Sequence, residues 1–430
     1  MTASTAKKMD FWAILALVIG SQVGSGVFLL PATLAPYQGY ALIGWLCAGL
    51  GAILLARVFS ELVARFPQTG GAHVFVGKAF GRHASFFVGW TYWLISAIST
   101  ASVFATAIGY LSSIIGMPSV SASIGYQIAL CIMIMLLNLQ GVHTSGKFES
   151  FLALIKVCTL VLLPTLALSM LNTDYIHFKT LNNLSSLDNI TASSALTFWA
   201  FIGLEAATTP AESVENPKQN IPLAILIGTL IVLGLYMVNS VALMGLIPNT
   251  ELAQTQAPYV LAAQYIFGGN WHQLIACFAI LVCLSNMNAW VLASGQIAYG
   301  IAKDTLLPNF FTATNSNGAP LWGIVISCAL NIPIIIASAN ENIAQQVADI
   351  IQLSVTCYLF IYAACALALI KIAYSETNSI FNSTILLAAI ATLFCGFLLV
   401  STPTSHILVS LLIALSGLPI YLNLPDNEVI

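Results

Sequence analysis

Apolar runs of about twenty residues, the length of a membrane-spanning helix, follow one another along almost the entire chain, from Phe11 to Leu422. Only 6% of the 430 residues are charged, whereas soluble domains carry about 25% charged residues. The outer surface of this chain must therefore face lipid rather than water. The sequence predicts an all-α membrane protein with about twelve transmembrane helices.

Short clusters of Pro, Gly, Asn or Ser, which favour turns, separate the predicted spans. The spans cover residues 11–35, 40–62, 86–115, 122–141, 150–171, 191–210, 222–247, 272–300, 320–338, 346–371, 382–401 and 404–422. No polar connection between them is long enough to form a separate soluble domain. We therefore expect a single membrane domain over residues 1–430.

Lys and Arg are distributed unevenly between the two sides of these spans. With the N-terminus placed in the cytoplasm, ten of the 12 basic residues fall at cytoplasmic ends or loops, Lys179 falls outside, and Lys156 falls within a span. Cytoplasmic loops of membrane proteins carry an excess of basic residues. We therefore expect a multi-pass protein of the cell membrane with both termini in the cytoplasm; in a bacterium this would be the inner membrane.

Two predicted spans contain residues that interrupt a helix near its middle. The first span carries Gly24, Ser25 and Gly26, and the sixth carries Gly203 followed by the carboxylate of Glu205. Because these spans lie five apart, an odd number, the second enters the membrane from the opposite side. Matching interruptions in two halves of opposite topology are typical of inverted-repeat transporters.

The interruptions predict both a domain organisation and a binding site. We expect a first repeat over residues 11–171, an inverted repeat over 191–371, and two extra helices within 382–422. A break at Gly24–Gly26 frees amide groups at the positive end of a half-helix, which favours a carboxylate. A break near Ile202 frees carbonyl groups, which favour an ammonium group. Together the breaks indicate a site for an amino acid; close helix packing by small residues is the alternative explanation.

The ionisable side chains of Glu205 and Lys156 lie within predicted spans, where charge is costly and usually functional. Glu205 is expected to carry a proton or to contact a cationic substrate; the alternative is a structural carboxylate bonded to the broken helix. Lys156 is either a coupling cation, placed where sodium-coupled transporters bind sodium, or a lysine whose amine reaches the cytoplasmic interface.

Three aromatic residues within the spans, Tyr92, Trp199 and Trp290, are candidates for contact with a cationic substrate. Aromatic faces attract ammonium and guanidinium groups, although many membrane tryptophans lie at the lipid interface instead. The six histidines and nine cysteines show no metal-ligand spacing, and the sequence contains no nucleophile motif or phosphate-binding loop. We therefore expect no enzymatic activity, no cofactor and no metal, and the net charge of −3 gives no indication of a nucleic-acid partner.

Four sequence motifs carry a resemblance to a known family. They are GSGVFLLP at 24–31, RFPQTGG at 65–71, FWAFIGLE at 198–205 and ENPKQNIP at 215–222. With these motifs the chain resembles the amino acid–polyamine–organocation superfamily, and within it the basic amino acid/polyamine antiporters, from about residue 10 to 420. The resemblance implies the leucine-transporter fold, in which two inverted five-helix repeats with broken helices 1 and 6 are followed by two extra helices.

The resemblance also implies roles for individual residues. The carboxylate of the substrate would contact Val23, Gly24, Ser25 and Gly26, and its α-amino group would contact Ile202. Its side chain would contact Trp199, and Trp290 would form a middle gate. Ser96 and Thr100 on helix three would also contact the substrate. Tyr92 and Glu205 would belong to an inner gate, with Glu205 linked to protons. The family's inner-gate tyrosine on helix ten aligns with Phe360, with Tyr358 and Tyr362 nearby.

The function that the resemblance implies is secondary active transport by alternating access. The leading expectation is exchange of an amino acid for its amine, of the arginine/agmatine type. A proton-coupled permease of broad specificity, with Lys156 as its titrating group, is the alternative within the superfamily. A channel and a membrane-embedded sensor are the alternatives from other classes. The expected partners are an amino acid or polyamine, protons and the lipid bilayer; a homodimer is left open.

Overall fold

The computed structural model describes residues 8–24, 26–68, 71–140, 160–178, 185–208, 211, 214–379 and 382–424. Within these residues the chain is helical, and its only β-structure consists of two isolated bridges. Nine of its helices are long and apolar enough to cross a membrane, and a further pair, bent by 42° at a short break, counts as a tenth if its two helices make up one span. These observations confirm the predicted all-α membrane fold.

The residues of the first half that the structure describes form eight helices. They are α1 (Phe11–Gln22), α2 (Gly26–Leu34), α3 (Gly39–Arg65), α4 (Ala72–Phe80), α5 (Arg82–Ile98), α6 (Thr100–Ile115), α7 (Val120–Leu139) and α8 (160–168). The helices α5 and α6 follow each other directly and together form the predicted third span. The short helix α4 lies in what the sequence analysis treated as a loop.

The second half forms ten helices. They are α9 (Ser186–Phe198), α10 (Pro217–Leu246), α11 (Asn249–Leu252), α12 (Pro258–Phe267), α13 (Trp271–Lys303), α14 (Leu321–Ala337), α15 (Ile343–Thr377), α16 (Ser383–Val400), α17 (Thr404–Leu415) and α18 (Leu418–Leu422). Eleven of the twelve predicted spans correspond to these elements or to those of the first half. The remaining span, 150–171, is described only from residue 160 onwards.

Burial separates the central helices from those at the periphery. In the joined α5–α6 span 94% of an apolar stretch is buried inside the protein. The buried share of such a stretch is 22% in α16 and 11% in α17 and α18 together. Large apolar side chains such as Leu393 and Val400 are 73% and 88% exposed. Burial of apolar surface stabilises a protein by about 25 cal/mol per Å², so these outer faces indicate contact with lipid.

Glycines allow the closest helix contact at the α13–α14 interface. A Cβ atom added at Gly323 would lie 2.6 Å from the carbonyl oxygen of Gly295. Real Cβ contacts are longer than this, and a backbone oxygen within a helix cannot move aside by itself. The two helices can therefore approach this closely only because residue 323 has no side chain.

We predict that Gly323→Ala separates α13 from α14 and lowers stability by about 1–3 kcal/mol, the usual cost of overpacking. Thermal unfolding of the purified protein in detergent measures the effect. Gly300→Ala on α13 is the matched control, because a Cβ atom there has no neighbour within 4 Å. Equal melting temperatures for the two variants would contradict the steric explanation.

Candidate substrate site

The first span is interrupted between α1 and α2. Val23 caps the C-terminal end of α1 with non-helical dihedral angles (φ −77°, ψ 87°), and α2 begins at Gly26. Carbonyl groups at the end of a helix lack intrahelical amide partners. Here the hydroxyl of Tyr236 on α10 donates a hydrogen bond to the carbonyl oxygen of Gln22 at 2.8 Å. A side chain from a distant helix thus satisfies part of the broken end.

The sixth span is interrupted after α9. A 3₁₀ turn over Trp199–Phe201 follows α9, and Ile202 then adopts an extended conformation (φ −64°, ψ 134°). Gly203 has a φ of +103°, a conformation that favours glycine because residues with a side chain rarely adopt it. The chain therefore unwinds where the sequence predicts, and a short 3₁₀ turn over Ala206–Thr208 follows.

The two interruptions contact each other directly. The hydroxyl of Ser21, near the end of α1, donates to the carbonyl oxygen of Gly203 at 2.9 Å. A Cβ atom added at Gly26 would lie 2.5 Å from Nε1 of Trp199, so the start of α2 lies directly against the indole ring. The broken segments are thus fixed relative to one another by a hydrogen bond and by close packing.

A small cavity lies between the breaks. It is lined by Ser21, Gln22, Gly24, Gly26, Val27, Trp199, Ala200, Ile202, Tyr236, Asn286 and Trp290. Both tryptophans are half-buried, and the lining residues that the structure describes include no charged side chain. Cavities of this kind, mostly apolar with a few polar groups, are typical of small-molecule sites. Here Ser21, Gln22, Tyr236 and Asn286 supply the polar side chains.

Most of the residues expected to contact substrate lie together around this cavity. Its lining contains Gly24, Gly26, Trp199, Ile202 and Trp290. Val23 adjoins these residues in sequence without lining the cavity, and Ser25 lies outside the described residues. The structure therefore brings the two breaks and both tryptophans to one place, while their role in binding substrate remains a prediction.

Ser96 and Thr100 do not line the cavity. The hydroxyl of Ser96 donates to the carbonyl oxygen of Trp93 at 2.7 Å, and that of Thr100 donates to the carbonyl oxygen of Ser96 at 3.1 Å. Both residues are fully or almost fully buried between helices. Their bonds stabilise the junction between α5 and α6, and their contact with substrate stays a prediction.

Four polar residues of the lining were missed by the sequence analysis: Ser21, Gln22, Tyr236 and Asn286. Asn286 lies four residues, or about one helical turn, before Trp290, so its amide shares a helix face with that ring. That spacing was an available signal. For Tyr236 there was none, because it lies in a long apolar run of another helix.

A second cluster surrounds the carboxylate of Glu205, which is only 1% exposed. Tyr92 donates to Oε1 at 3.1 Å and Tyr362 donates to Oε2 at 2.5 Å, while the backbone amide of Gly203 also donates to Oε2 at 3.2 Å. The predicted association of Tyr92 with Glu205 is therefore present in the structure. The carboxylate also fixes the unwound segment through Gly203.

The tyrosine that α15, the tenth predicted span, contributes to this cluster is Tyr362 and not residue 360. Phe360, the position aligned with the family's gate tyrosine, has no hydroxyl and is half-buried. Two residues along a helix turn the side chain by about 200°, so positions 360 and 362 face nearly opposite directions. Lys156, the other ionisable candidate, lies outside the described residues.

The family model that describes amino acid permeases matches residues 9–417. The chain belongs to the amino acid permease family. This permease is similar to the putrescine transporter PotE of Haemophilus influenzae, with 25% identity over 428 residues that cover 97% of each chain. It is also similar to the cadaverine/lysine antiporter of Escherichia coli K12, with 31% identity over 335 residues that cover 75% of this permease and 73% of the relative. The resemblance to the amino acid–polyamine–organocation superfamily is thereby confirmed.

We predict that Gly26→Ala reduces uptake of radiolabelled amino acids by this permease at least about tenfold, which corresponds to roughly 1.4 kcal/mol. The added methyl group would displace the Trp199 indole from its contact with α2. Gly20→Ala on α1 is the control, since no atom lies within 4 Å of a Cβ at that position. Unchanged uptake by Gly26→Ala would show that the contact between Trp199 and α2 does not matter for transport.

We also predict that Tyr362→Phe lowers stability by about 1–3 kcal/mol, because it removes a donor from a buried carboxylate. Tyr358→Phe is the matched control: Tyr358 is equally buried one turn away on α15 but makes no hydrogen bond to Glu205 in the structure. Chemical denaturation or thermal melting compares the two variants. If both lose the same stability, the bond from Tyr362 to Glu205 contributes nothing specific.

Proposed function

We propose that this permease exchanges a basic amino acid for the diamine formed by its decarboxylation. The observation that carries the proposal is the cavity between two broken helices, which residues of both breaks line together with Trp199 and Trp290. The names of the relatives, a cadaverine/lysine antiporter and a putrescine transporter, support the same class of cargo. Lysine and cadaverine are therefore the first pair to test.

The donors would bind the carboxylate of the amino acid. The first amide groups of a helix have no intrahelical acceptors, and they carry the positive end of the helix dipole. In this permease the start of α2 at Gly26 lines the cavity. A diamine has no carboxylate, so it would leave these amides to water or to a neighbouring side chain.

The acceptors would bind the α-amino group. The end of α1 and the extended segment at Ile202 present carbonyl groups, and Ile202 lines the cavity. The side-chain ammonium would then lie between Trp199 and Trp290, because an aromatic face attracts a cation without neutralising its charge. Such a site accepts a chain with an ammonium group at each end, with or without a carboxylate.

We further propose that transport proceeds by alternating access of two inverted repeats, residues 11–171 and 191–371, with both termini in the cytoplasm. The matched interruptions in the first and sixth spans support this organisation. The cluster of Tyr92, Glu205 and Tyr362 would form the inner gate, because it ties α5 and α15 to the unwound segment. In this arrangement opening the gate requires these bonds to separate, and proton uptake by Glu205 would favour that step.

Counterflow in liposomes tests the proposed exchange. Purified permease should take up external radiolabelled lysine rapidly when cadaverine is inside and at least about tenfold more slowly when the liposomes contain buffer alone. Trp199→Leu should abolish the stimulation because the variant lacks the aromatic face beside the first break. Trp12→Leu is the matched control, since Trp12 is 72% exposed at the lipid-facing surface.

Two outcomes would contradict the proposal. Uptake that is independent of internal amine would indicate a uniporter or channel. Uptake driven by a proton gradient alone, with no effect of internal amine, would indicate the proton-coupled permease that the sequence analysis left open.

A further inference from the structure

Gln22, the last residue of α1, is held by α10 at two points. The hydroxyl of Tyr236 donates to its backbone carbonyl at 2.8 Å. The side-chain amide of Gln22 donates through Nε2 to Oγ1 of Thr229 at 3.3 Å. Thr229 and Tyr236 lie seven residues apart on α10, about two helical turns, and therefore on the same face. One face of α10 thus fixes both the backbone and the side chain of Gln22.

The side-chain oxygen of Gln22, Oε1, is buried and accepts no hydrogen bond from any residue that the structure describes. Gln22 is only 3% exposed, and it is one of the residues that line the cavity. Buried polar atoms in folded proteins nearly always have a partner, because an unpaired one loses its hydration without compensation. A buried acceptor that no described residue pairs, on a residue that lines a cavity, points to a donor on a bound ligand.

The position of Gln22 indicates what kind of donor it would meet. The C-terminal end of a helix carries the negative end of the helix dipole and favours cations. Gln22 is the last residue of α1, and Ser21 next to it is bonded to the second break. Hydrogen bonds from an ammonium group to a carbonyl oxygen are shorter and stronger than bonds between neutral groups. A primary ammonium also offers three donors, enough for a backbone carbonyl and a side-chain oxygen together.

We propose that Oε1 of Gln22 accepts a hydrogen bond from the α-ammonium group of the amino acid, which the decarboxylated amine retains as one of its two ammonium groups. Thr229 and Tyr236 are positioning residues that orient Gln22 toward this group. This inference rests on the proposed exchange function and specifies how the site retains both cargoes: it holds the group that decarboxylation leaves unchanged. The carboxylate contacts at α2 then serve only one of the two.

Gln22→Met tests the assignment, because methionine has a similar length but no hydrogen-bonding amide. We expect the apparent KM for lysine and for cadaverine to rise together by about tenfold or more in proteoliposome exchange, the usual effect of removing a hydrogen bond to a charged group. Thr229→Val is the matched variant: it removes the restraint on Nε2 but retains Oε1, so its effect should be several-fold smaller.

A second measurement separates substrate contact from mere support of the helix end. Nα-trimethyllysine keeps the positive charge of lysine but has no N–H donor on its α-nitrogen. Wild-type permease should prefer lysine over this analogue, and Gln22→Met should reduce that preference by about threefold or more, since one of three donors has lost its acceptor. If Gln22 only supported the helix end, Gln22→Met would weaken the binding of lysine and of the analogue equally and leave the preference between them unchanged.

The outcomes are distinct. If Gln22→Met and Thr229→Val raise the KM equally and the preference for lysine over its trimethyl analogue does not change, the inference is overturned. Exchange by the wild type would still uphold the proposed function in that case. If Gln22→Met raised the KM for lysine alone, the inference would also be overturned, because the amide would then bind the carboxylate. Absence of lysine–cadaverine exchange in the wild type would overturn the proposed function and this inference with it.

Discussion

The hydrogen bond from Ser21 to the carbonyl oxygen of Gly203 joins two helices at the points where both are unwound. In hydrocarbon every unpaired backbone group costs several kcal/mol, so a broken span is stable only when other parts of the protein satisfy it. Each break here depends on its surroundings: Tyr236 satisfies the end of α1, and Glu205 accepts the amide of Gly203. Residues of both breaks line the cavity between them.

Much of this architecture could be predicted from the sequence because its causes are local. A run of about twenty apolar residues specifies a membrane span, and glycines at positions 24, 26 and 203 mark where the spans unwind. The contact between the two breaks was also expected, because matching interruptions in inverted-repeat transporters lie together at the binding site. Trp199 could be placed at the site because it lies four residues before Gly203 on the same segment.

The remaining details depend on contacts between distant parts of the chain, which local patterns do not contain. Tyr362 rather than residue 360 contacts Glu205 because the register of α15 against the unwound segment decides which face points inward. Ser96 and Thr100 were expected at the pocket, yet both hydroxyls bond to the backbone of their own segment, and that of Ser96 also donates to the hydroxyl of Ser294 on α13. Tyr236 and Thr229 reach Gln22 across more than 200 residues of sequence, and nothing in the composition of α10 distinguishes them from packing residues.

The neutral lining that the structure describes has a consequence for the proposed exchange. Because none of the described lining residues carries a charge, none of them neutralises the charge of a bound cation. Inward movement of lysine coupled to outward movement of fully protonated cadaverine would export one net positive charge per cycle. A membrane voltage does work of about 2.3 kcal/mol per charge per 100 mV. A negative interior would therefore oppose such a cycle, and the outward amine gradient would have to be steep enough to overcome that electrical work.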